Sequence, residues 1–196
     1  MARKIEVVLH DPSWAKSFRE EVDDLAVALG DAVVAIHHIG STAIPNIKAK
    51  PIIDVLIEVR DIEKVDDLNE QMRLLGYEPK GELGIAARRY FRKGRDEQHT
   101  HHVHVFQTGH PEVERHLNFR DYLVAHPEEE RAYARPKEML ASQFGQDRGR
   151  YTEGKSGFIE EMDRRARAWK ATVDQRTNGS RHGPTQAGAS TDMRMA

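Results

Sequence analysis

The stretch that decides the fold is HHIGSTAIPNIKAKPIIDVLIEV, which runs from His37 to Val59. Its first half completes an apolar, β-branched segment, 32–39, and its second half contains another, 52–59. Such segments favour strands, and the glycine at Gly40 favours a tight turn after the first of them. The second segment carries one acidic side chain, Asp54, among apolar neighbours. The stretch therefore predicts a strand–turn–strand unit with an aspartate inside its second strand.

Asp54 is the first candidate for chemistry. An unpaired carboxylate in an apolar strand costs on the order of several kcal/mol, so it needs a metal, a base or hydrogen-bond donors. Because side chains alternate along a strand, Asp54, Leu56 and Glu58 should share one face. The alternative to a functional site is a structural salt bridge, for which the candidate partners are Lys50, Arg88 and Arg89.

The turn after the first strand is a candidate phosphate site. Glycine lets the backbone N–H groups approach an anion closely, and Ser41 and Thr42 add hydroxyls beside Gly40. Lys50 adds positive charge nearby in the sequence. An ordinary strand-to-loop turn would look the same, and the aspartate on the next strand is what favours function.

Four histidines crowd the segment from His99 to His104. If 100–107 is a strand, His102 and His104 lie on one face, and two such imidazoles can ligate a metal with a carboxylate such as Asp54. The alternative is a pair of partly buried, hydrogen-bonded histidines. The histidine strand should pair as a hairpin with residues 88–92.

The partner strand of that hairpin is basic. Arg88 and Arg89 could hold phosphates, since the guanidinium group binds them in a bidentate manner. The alternative is a solvated edge strand, where such charges discourage aggregation.

The order of predicted elements is strand, helix, two strands, helix, hairpin and then a run of helices. This order predicts an α+β domain, with a small mixed β-sheet packed by helices and a C-terminal helical layer. Residues 1–170 should form this domain. Residues 171–196, which are rich in Gly, Ser, Thr and Arg, should form a disordered tail.

Composition excludes several functions for this chain of 196 residues. It has no cysteine, so disulfides, thiolate catalysis and cysteine-based zinc sites are excluded. A net charge of -2 supplies no basic field for nucleic acid, which makes a nucleic-acid partner improbable. No apolar leader or membrane span is evident, and we expect a cytoplasmic protein without a membrane partner.

Several blocks of the sequence resemble the GrpB family. They are DPSWAKSF, HIGSTAIPNIKAKPIIDVLIEV, RRYFRKG, HHVHVF, FRDYL and YTEGKSGFI. The resemblance covers residues 5–165 and implies a nucleotidyltransferase-superfamily fold, with helices on one side of a small mixed sheet. Similar domains are fused to dephospho-CoA kinase in some bacteria, which implies a folding-accessory role there.

The resemblance also implies a site. In the superfamily a Gly-Ser turn takes the nucleotide triphosphate, and acids on the next strands hold divalent metal. Gly40 and Ser41 match the turn and Asp54 matches the first acid, but the second acid falls on Leu56. The third falls near His102 or His104. One aspartate with imidazoles suits Zn²⁺, Mn²⁺ or Ni²⁺ better than Mg²⁺.

Two functions follow, and the sequence leaves open whether the protein is an enzyme. In the first, the protein binds a nucleotide or other phosphorylated small molecule between the Gly-Ser turn and the Asp/His strands. The predicted phosphate-binding residues are Gly40, Ser41, Thr42, Lys50, Arg88 and Arg89. The predicted catalytic residues, which also form the predicted site for a divalent metal (Zn²⁺, Mn²⁺ or Mg²⁺), are Asp54, His102 and His104. In the second, the protein is a non-catalytic binding or folding-accessory module with a protein partner.

Overall fold

The computed structural model describes residues 7–95, 98–129, 139, 143 and 148–180, and only the backbone of 151–153, 155–156 and 178–180. Within these residues five strands form one sheet. They are β1 (Val33–Ile39), β2 (Ile53–Val59), β3 (Tyr77–Pro79), β4 (Arg88–Arg95) and β5 (Gln98–Gln107). The strand order is β1-β2-β5-β4-β3, and β2 runs parallel to β5 while the other pairs are antiparallel. The sheet is mixed, as predicted.

The first helix, α1 (Ser13–Leu29), has a defined start and end. The Asp11 carboxylate accepts a hydrogen bond from the Ser13 N–H at 2.8 Å, which satisfies one of the amides that a helix start leaves without a partner. The helix ends at Gly30, whose φ of 52° is accessible to glycine at little cost. The segment between β2 and β3 is a 3₁₀ helix, Glu63–Leu68, followed by the short helix α2 (Asn69–Leu74).

The two faces of the sheet pack against different helices. One face buries Val55 and Val103 with Leu25 of α1 and Met72 of α2. The other face buries an apolar cluster that includes residues of α3 (Pro111–Ala125). Helices therefore contact both faces, and not one face as the resemblance implied.

The C-terminal layer consists of α3 and the long helix α4 (Arg148–Ser180). Tyr122 and Leu123 of α3 and Met162 of α4 pack around Ile44 and Ile47, which follow the turn at the end of β1. The predicted helical layer is confirmed, and it holds the chain that follows the candidate phosphate turn.

Two predicted elements have different bounds in the structure. The first predicted strand, which precedes α1, appears in the described residues only as a single bridge between Val8 and Ala49. The predicted tail begins at residue 171, but α4 continues to Ser180. The exposed Lys170–Asp174 ion pair at 2.9 Å stabilises this polar extension, because residues four apart are neighbours on a helix. Residues 181–196, the rest of the predicted tail, lie outside the described residues.

No helix in the described part of the chain is both long enough and apolar enough to cross a membrane.

Candidate functional site

The site is centred on the contact between a turn and a strand. Gly40 follows β1 with a φ of 69°, and its backbone lies against the Asp54 side chain of β2. A Cβ atom at position 40 would lie 2.4 Å from Asp54 Oδ2 and 3.0 Å from Asp54 Cβ, so only glycine fits. The strand register explains the contact, since Asp54 is paired with Ile39, the residue before Gly40. The predicted phosphate turn and the predicted catalytic aspartate therefore form one site.

Asp54 is bonded to His102 across the parallel pair β2–β5. The two residues are register partners, and His102 Nδ1 lies 3.2 Å from Asp54 Oδ1. An ionised carboxylate only accepts hydrogen bonds, so the imidazole donates its Nδ1–H and keeps a lone pair on Nε2. Both side chains retain partial access to solvent, with 28% of Asp54 and 22% of His102 exposed. The salt bridges from Asp54 to Lys50, Arg88 or Arg89, considered from the sequence, are not the pairing that the structure gives this carboxylate.

The pKa of Asp54 reflects two opposing effects. Burial alone would raise it, but the hydrogen bond from His102 and the fields of His102, His104 and His116 lower it below its ordinary value. The carboxylate is therefore ionised throughout the physiological range, and the site carries a fixed negative charge.

His104 lies further along the same face, beside His116 of α3. Their ring centroids are 5.5 Å apart, and burial lowers the pKa of each to about 3. Arg88 Nη1 donates to His104 Nδ1 at 3.4 Å, and Arg115 Nη2 donates to His116 Nε2 at 3.1 Å. Because each imidazole accepts from a guanidinium group, both are held in the neutral form.

The hydroxyl of Thr42 holds the turn in place. Thr42 is 3% exposed; its Oγ1 donates to the Ile52 carbonyl at 3.2 Å and accepts from His38 Nε2 at 3.0 Å. Burial lowers the pKa of His38 to about 4, which keeps this imidazole neutral as well. Of the predicted turn residues, Ser41 lies in the short helical turn Ser41–Ala43 and is partly exposed, as is Lys50.

The two arginines predicted to hold phosphate point to opposite faces of β4. Arg88 is 6% exposed and donates to the carbonyls of Leu83 at 2.7 Å and Glu82 at 3.1 Å, with its guanidinium stacked 4.9 Å from the Tyr90 ring centroid. Arg89 forms a bidentate pair with Asp66, in which both N···O distances are 2.7 Å. The structure therefore does not bring the pair together, and the principal contacts of each guanidinium group are structural.

Neither Leu56 nor Glu58 supplies the second acid that the family resemblance implies. Leu56 is fully buried in an apolar cluster with Ile39 and Phe106. Glu58, four residues from Asp54 and so about 13 Å further along the strand, accepts from His37 Nε2 at 2.9 Å. Glu58 therefore does not replace the missing acid.

The residues present do not fit the divalent metal that the superfamily implies. Mg²⁺ prefers several hard oxygen ligands, and this face offers the single carboxylate of Asp54 between imidazoles. Among the residues that the structure describes, no three His, Asp or Glu side chains form a group able to hold a metal ion. His104 is turned toward Arg88 and His116, and it does not complete a set with Asp54 and His102.

Two residues near the site, His116 and His99, were not predicted from the sequence to be site residues. His116 reaches His104 from a helix that no spacing rule connects to the strand. His99 lies with its Nδ1 3.3 Å from His102 Nε2. In a regular strand residues three apart face opposite sides, so only the irregular register near Gly94 brings these two imidazoles together.

The fold and the site define a small α+β protein, in which a glycine turn packs against a strand aspartate beside a row of histidines. The chain belongs to the GrpB family: the family profile described as GrpB protein matches residues 4–165. The Bacillus subtilis protein YqkA is 51% identical over 168 residues, which are 86% of this chain and 49% of YqkA. The chain thus spans about half the length of that relative.

A solved structure of a related protein has the same fold, and part of a larger enzyme is also similar in sequence. The crystal structure of GrpB from Enterococcus faecalis is similar with a TM-score of 0.79 and 40% identity, over 84% of this chain and 99% of that chain. The dephospho-CoA kinase of Mycobacterium leprae is 29% identical over 191 residues, 83% of this chain and 46% of that enzyme. Cid1 poly(U) polymerase is a more distant structural neighbour, with 12% identity and a TM-score of 0.45. The Enterococcus structure supports the α+β fold predicted from the sequence.

Proposed function

We propose that this protein binds a phosphorylated small molecule, such as a nucleotide, where the Gly40-Ser41 turn meets Asp54 and His102. The single observation that carries the proposal is the packing of Gly40 against the Asp54 carboxylate, closer than any side chain at position 40 would allow. This contact holds the turn beside a partly exposed acid–imidazole pair, an arrangement that is typical of a ligand site.

Fewer residues bind phosphate in this proposal than the sequence predicted. The backbone and hydroxyl of Ser41 and the ammonium group of Lys50 are the phosphate-binding groups of the proposal, and Gly40 allows the turn to pack against Asp54. Thr42 and Arg88 support the site, because their donors already bind carbonyl groups. Arg89 is outside the site on account of its pairing with Asp66.

Asp54 and His102 supply the chemistry of the proposed site. Asp54 accepts the Nδ1–H of His102, and this orients the imidazole and fixes its tautomer, with the lone pair on Nε2. A base at that position can accept a proton from a ligand hydroxyl or donate one to a leaving oxygen. Asp54 by itself repels an anionic phosphate, so a ligand would bind as its metal complex or with His102 protonated.

Thermal-shift and calorimetric titrations test the proposal. The ligands are nucleoside mono-, di- and triphosphates and coenzyme A precursors, each with and without Mg²⁺, Mn²⁺ or Zn²⁺. We expect stabilisation by at least one of them, lost in Asp54→Asn and in Gly40→Ala. The matched control is Arg89→Ala, which removes an exposed ion pair on the opposite face and should leave binding unchanged. A wild-type protein that binds none of these ligands would refute the proposal.

A specific observation favours the non-catalytic alternative. Leu56 stands where the resemblance implies a second metal-binding acid, and it is part of an apolar cluster, so this position contributes packing and no metal ligand. Similarity to the dephospho-CoA kinase of M. leprae, in which the matched region is part of a larger enzyme, is consistent with an accessory role. If this role is correct, the chain should bind a bacterial dephospho-CoA kinase in isothermal titration, and wild type and Asp54→Asn should bind equally.

A further inference from the structure

The β4–β5 hairpin contains a bulge that re-aims one histidine. Lys93 pairs with His101, but the next residue, Gly94, pairs with His99, so Thr100 is an extra residue on β5. This insertion moves His99 from the face of His101 to the face of His102. Gly94 is adapted to the bulge: its φ is 127°, and a Cβ atom there would lie 2.1 Å from the Gln98 carbonyl oxygen.

The imidazole of His99 contacts that of His102 through one ring nitrogen of each. His99 Nδ1 donates a hydrogen bond to His102 Nε2 at 3.3 Å, and a metal ion would take the place of the proton in this bond. The two rings are inclined by 66° with their centroids separated by 5.4 Å. Two imidazole nitrogens bound to one tetrahedral Zn²⁺ at the usual bond length also lie about 3.3 Å apart. Both side chains are partly exposed, so an ion can reach them.

Asp54 accepts a hydrogen bond from the other ring nitrogen of His102. Metal-binding histidines commonly donate their second ring N–H to a carboxylate, which orients the ring and strengthens the ligand. Asp54 has this relation to His102, since it accepts the Nδ1–H and leaves Nε2 directed at His99.

We propose that His99 Nδ1 and His102 Nε2 bind a divalent transition metal, with Zn²⁺ the best match, and that Asp54 orients His102 without ligating the ion. The other coordination positions would take water or an oxygen of a bound phosphate. This assignment replaces the set of Asp54, His102 and His104 expected from the sequence. Metal binding in this form does not require the phosphorylated ligand, and it occupies the Nε2 that acts as a base only in the metal-free protein, so the two proposals can fail separately.

The test uses the full chain stripped of metal with a chelator. Zn²⁺ is titrated by calorimetry and Co²⁺ by its visible absorption, without nucleotide. We expect one ion per chain for the wild type, and loss of that binding in His99→Ala, which leaves the Asp54–His102 bond in place. Asp54→Asn should weaken Zn²⁺ affinity about 10- to 100-fold. His104→Ala should leave it unchanged.

Two further variants separate ligand loss from misfolding. His101→Gln changes a histidine of the same strand that faces Glu21 on the opposite side, and it should bind Zn²⁺ like the wild type. Deletion of Thr100 removes the bulge but no imidazole, and it should abolish binding in a chain that still unfolds cooperatively. The proposal is overturned if the folded wild type binds neither ion, or if His99→Ala binds Zn²⁺ as tightly as the wild type.

Discussion

Gly40 and Asp54 touch across two neighbouring strands, and the carboxylate of Asp54 occupies the space that any side chain at position 40 would need. The contact ties the backbone of the candidate phosphate turn to the only acid on this part of the described sheet face. A change at either residue therefore acts on the other.

Gly40→Ala should destabilise the protein through this contact. The substitution adds a Cβ atom 2.4 Å from Asp54 Oδ2 at a positive φ, and we expect a loss of about 2–4 kcal/mol in the free energy of unfolding. Gly84→Ala is the matched control, because Gly84 also has a positive φ but nothing within 4 Å of its added Cβ. Urea denaturation should show a smaller loss for Gly84→Ala. It should also show partial recovery in the double variant Gly40→Ala/Asp54→Ala, and equal losses for the two single variants would contradict the contact.

Leu56→Asp introduces the second acid that the family resemblance implies, and it should destabilise the protein. Leu56 is fully buried between Ile39 and Phe106, so an unpaired carboxylate there should cost on the order of several kcal/mol. We expect a much lower midpoint of thermal unfolding and no gain of Mg²⁺ binding. Leu74→Asp, at a residue that is 81% exposed, is the control and should have little effect. A stable Leu56→Asp variant that binds Mg²⁺ would contradict this expectation.

The neutral histidines of the site should make the protein sensitive to acid. Burial lowers the pKa of His104 and of His116 to about 3, against an ordinary value of 6.5. The unfolded chain therefore binds more protons below pH 6.5, and this stability is present above the unfolded pKa and lost as pH falls toward about 3. The groups that face this pair include Asp54, which favours protonation, and Arg88, which opposes it.

Urea midpoints measured from neutral pH down to about pH 4 check this expectation. The wild type should lose stability steadily over this range, and His116→Gln should show a shallower slope because one neutral imidazole has been removed. The same slope in both proteins would mean that His116 does not remain neutral in the folded state.

Substitution of Arg88 should cost much more stability than substitution of Arg89, although the two residues are adjacent in sequence. Arg88→Ala removes the buried guanidinium group, which leaves the carbonyl groups of Glu82 and Leu83 without their donor and removes the stacking on Tyr90. We expect a loss of about 2–4 kcal/mol in the free energy of unfolding. Arg89→Ala removes an ion pair whose Asp66 partner is 51% exposed, and we expect a loss of about 1 kcal/mol or less. Chemical denaturation distinguishes the two, and a larger loss in Arg89→Ala than in Arg88→Ala would contradict the buried, structural role of Arg88.

The sequence by itself determined the local elements and the faces of the strands. The apolar, β-branched segments defined β1 and β2, the glycine at position 40 marked the turn, and the period of two placed His102 and His104 on one face. These features depend on short-range sterics and on hydrophobic periodicity, and residues close together in the sequence determine both. The alignment of Asp54 beside His102 was also foreseeable, because an aspartate in an apolar strand must find a partner.

Only the tertiary structure decided which polar groups meet. A one-residue bulge at Thr100 reverses the face of His99, α3 brings His116 onto His104, and the pairing of Arg89 with Asp66 withdraws it from the site. Each of these depends on strand register or on helix packing over many residues. A shift of one residue in register exchanges the two faces of a strand, and no local pattern encodes that shift.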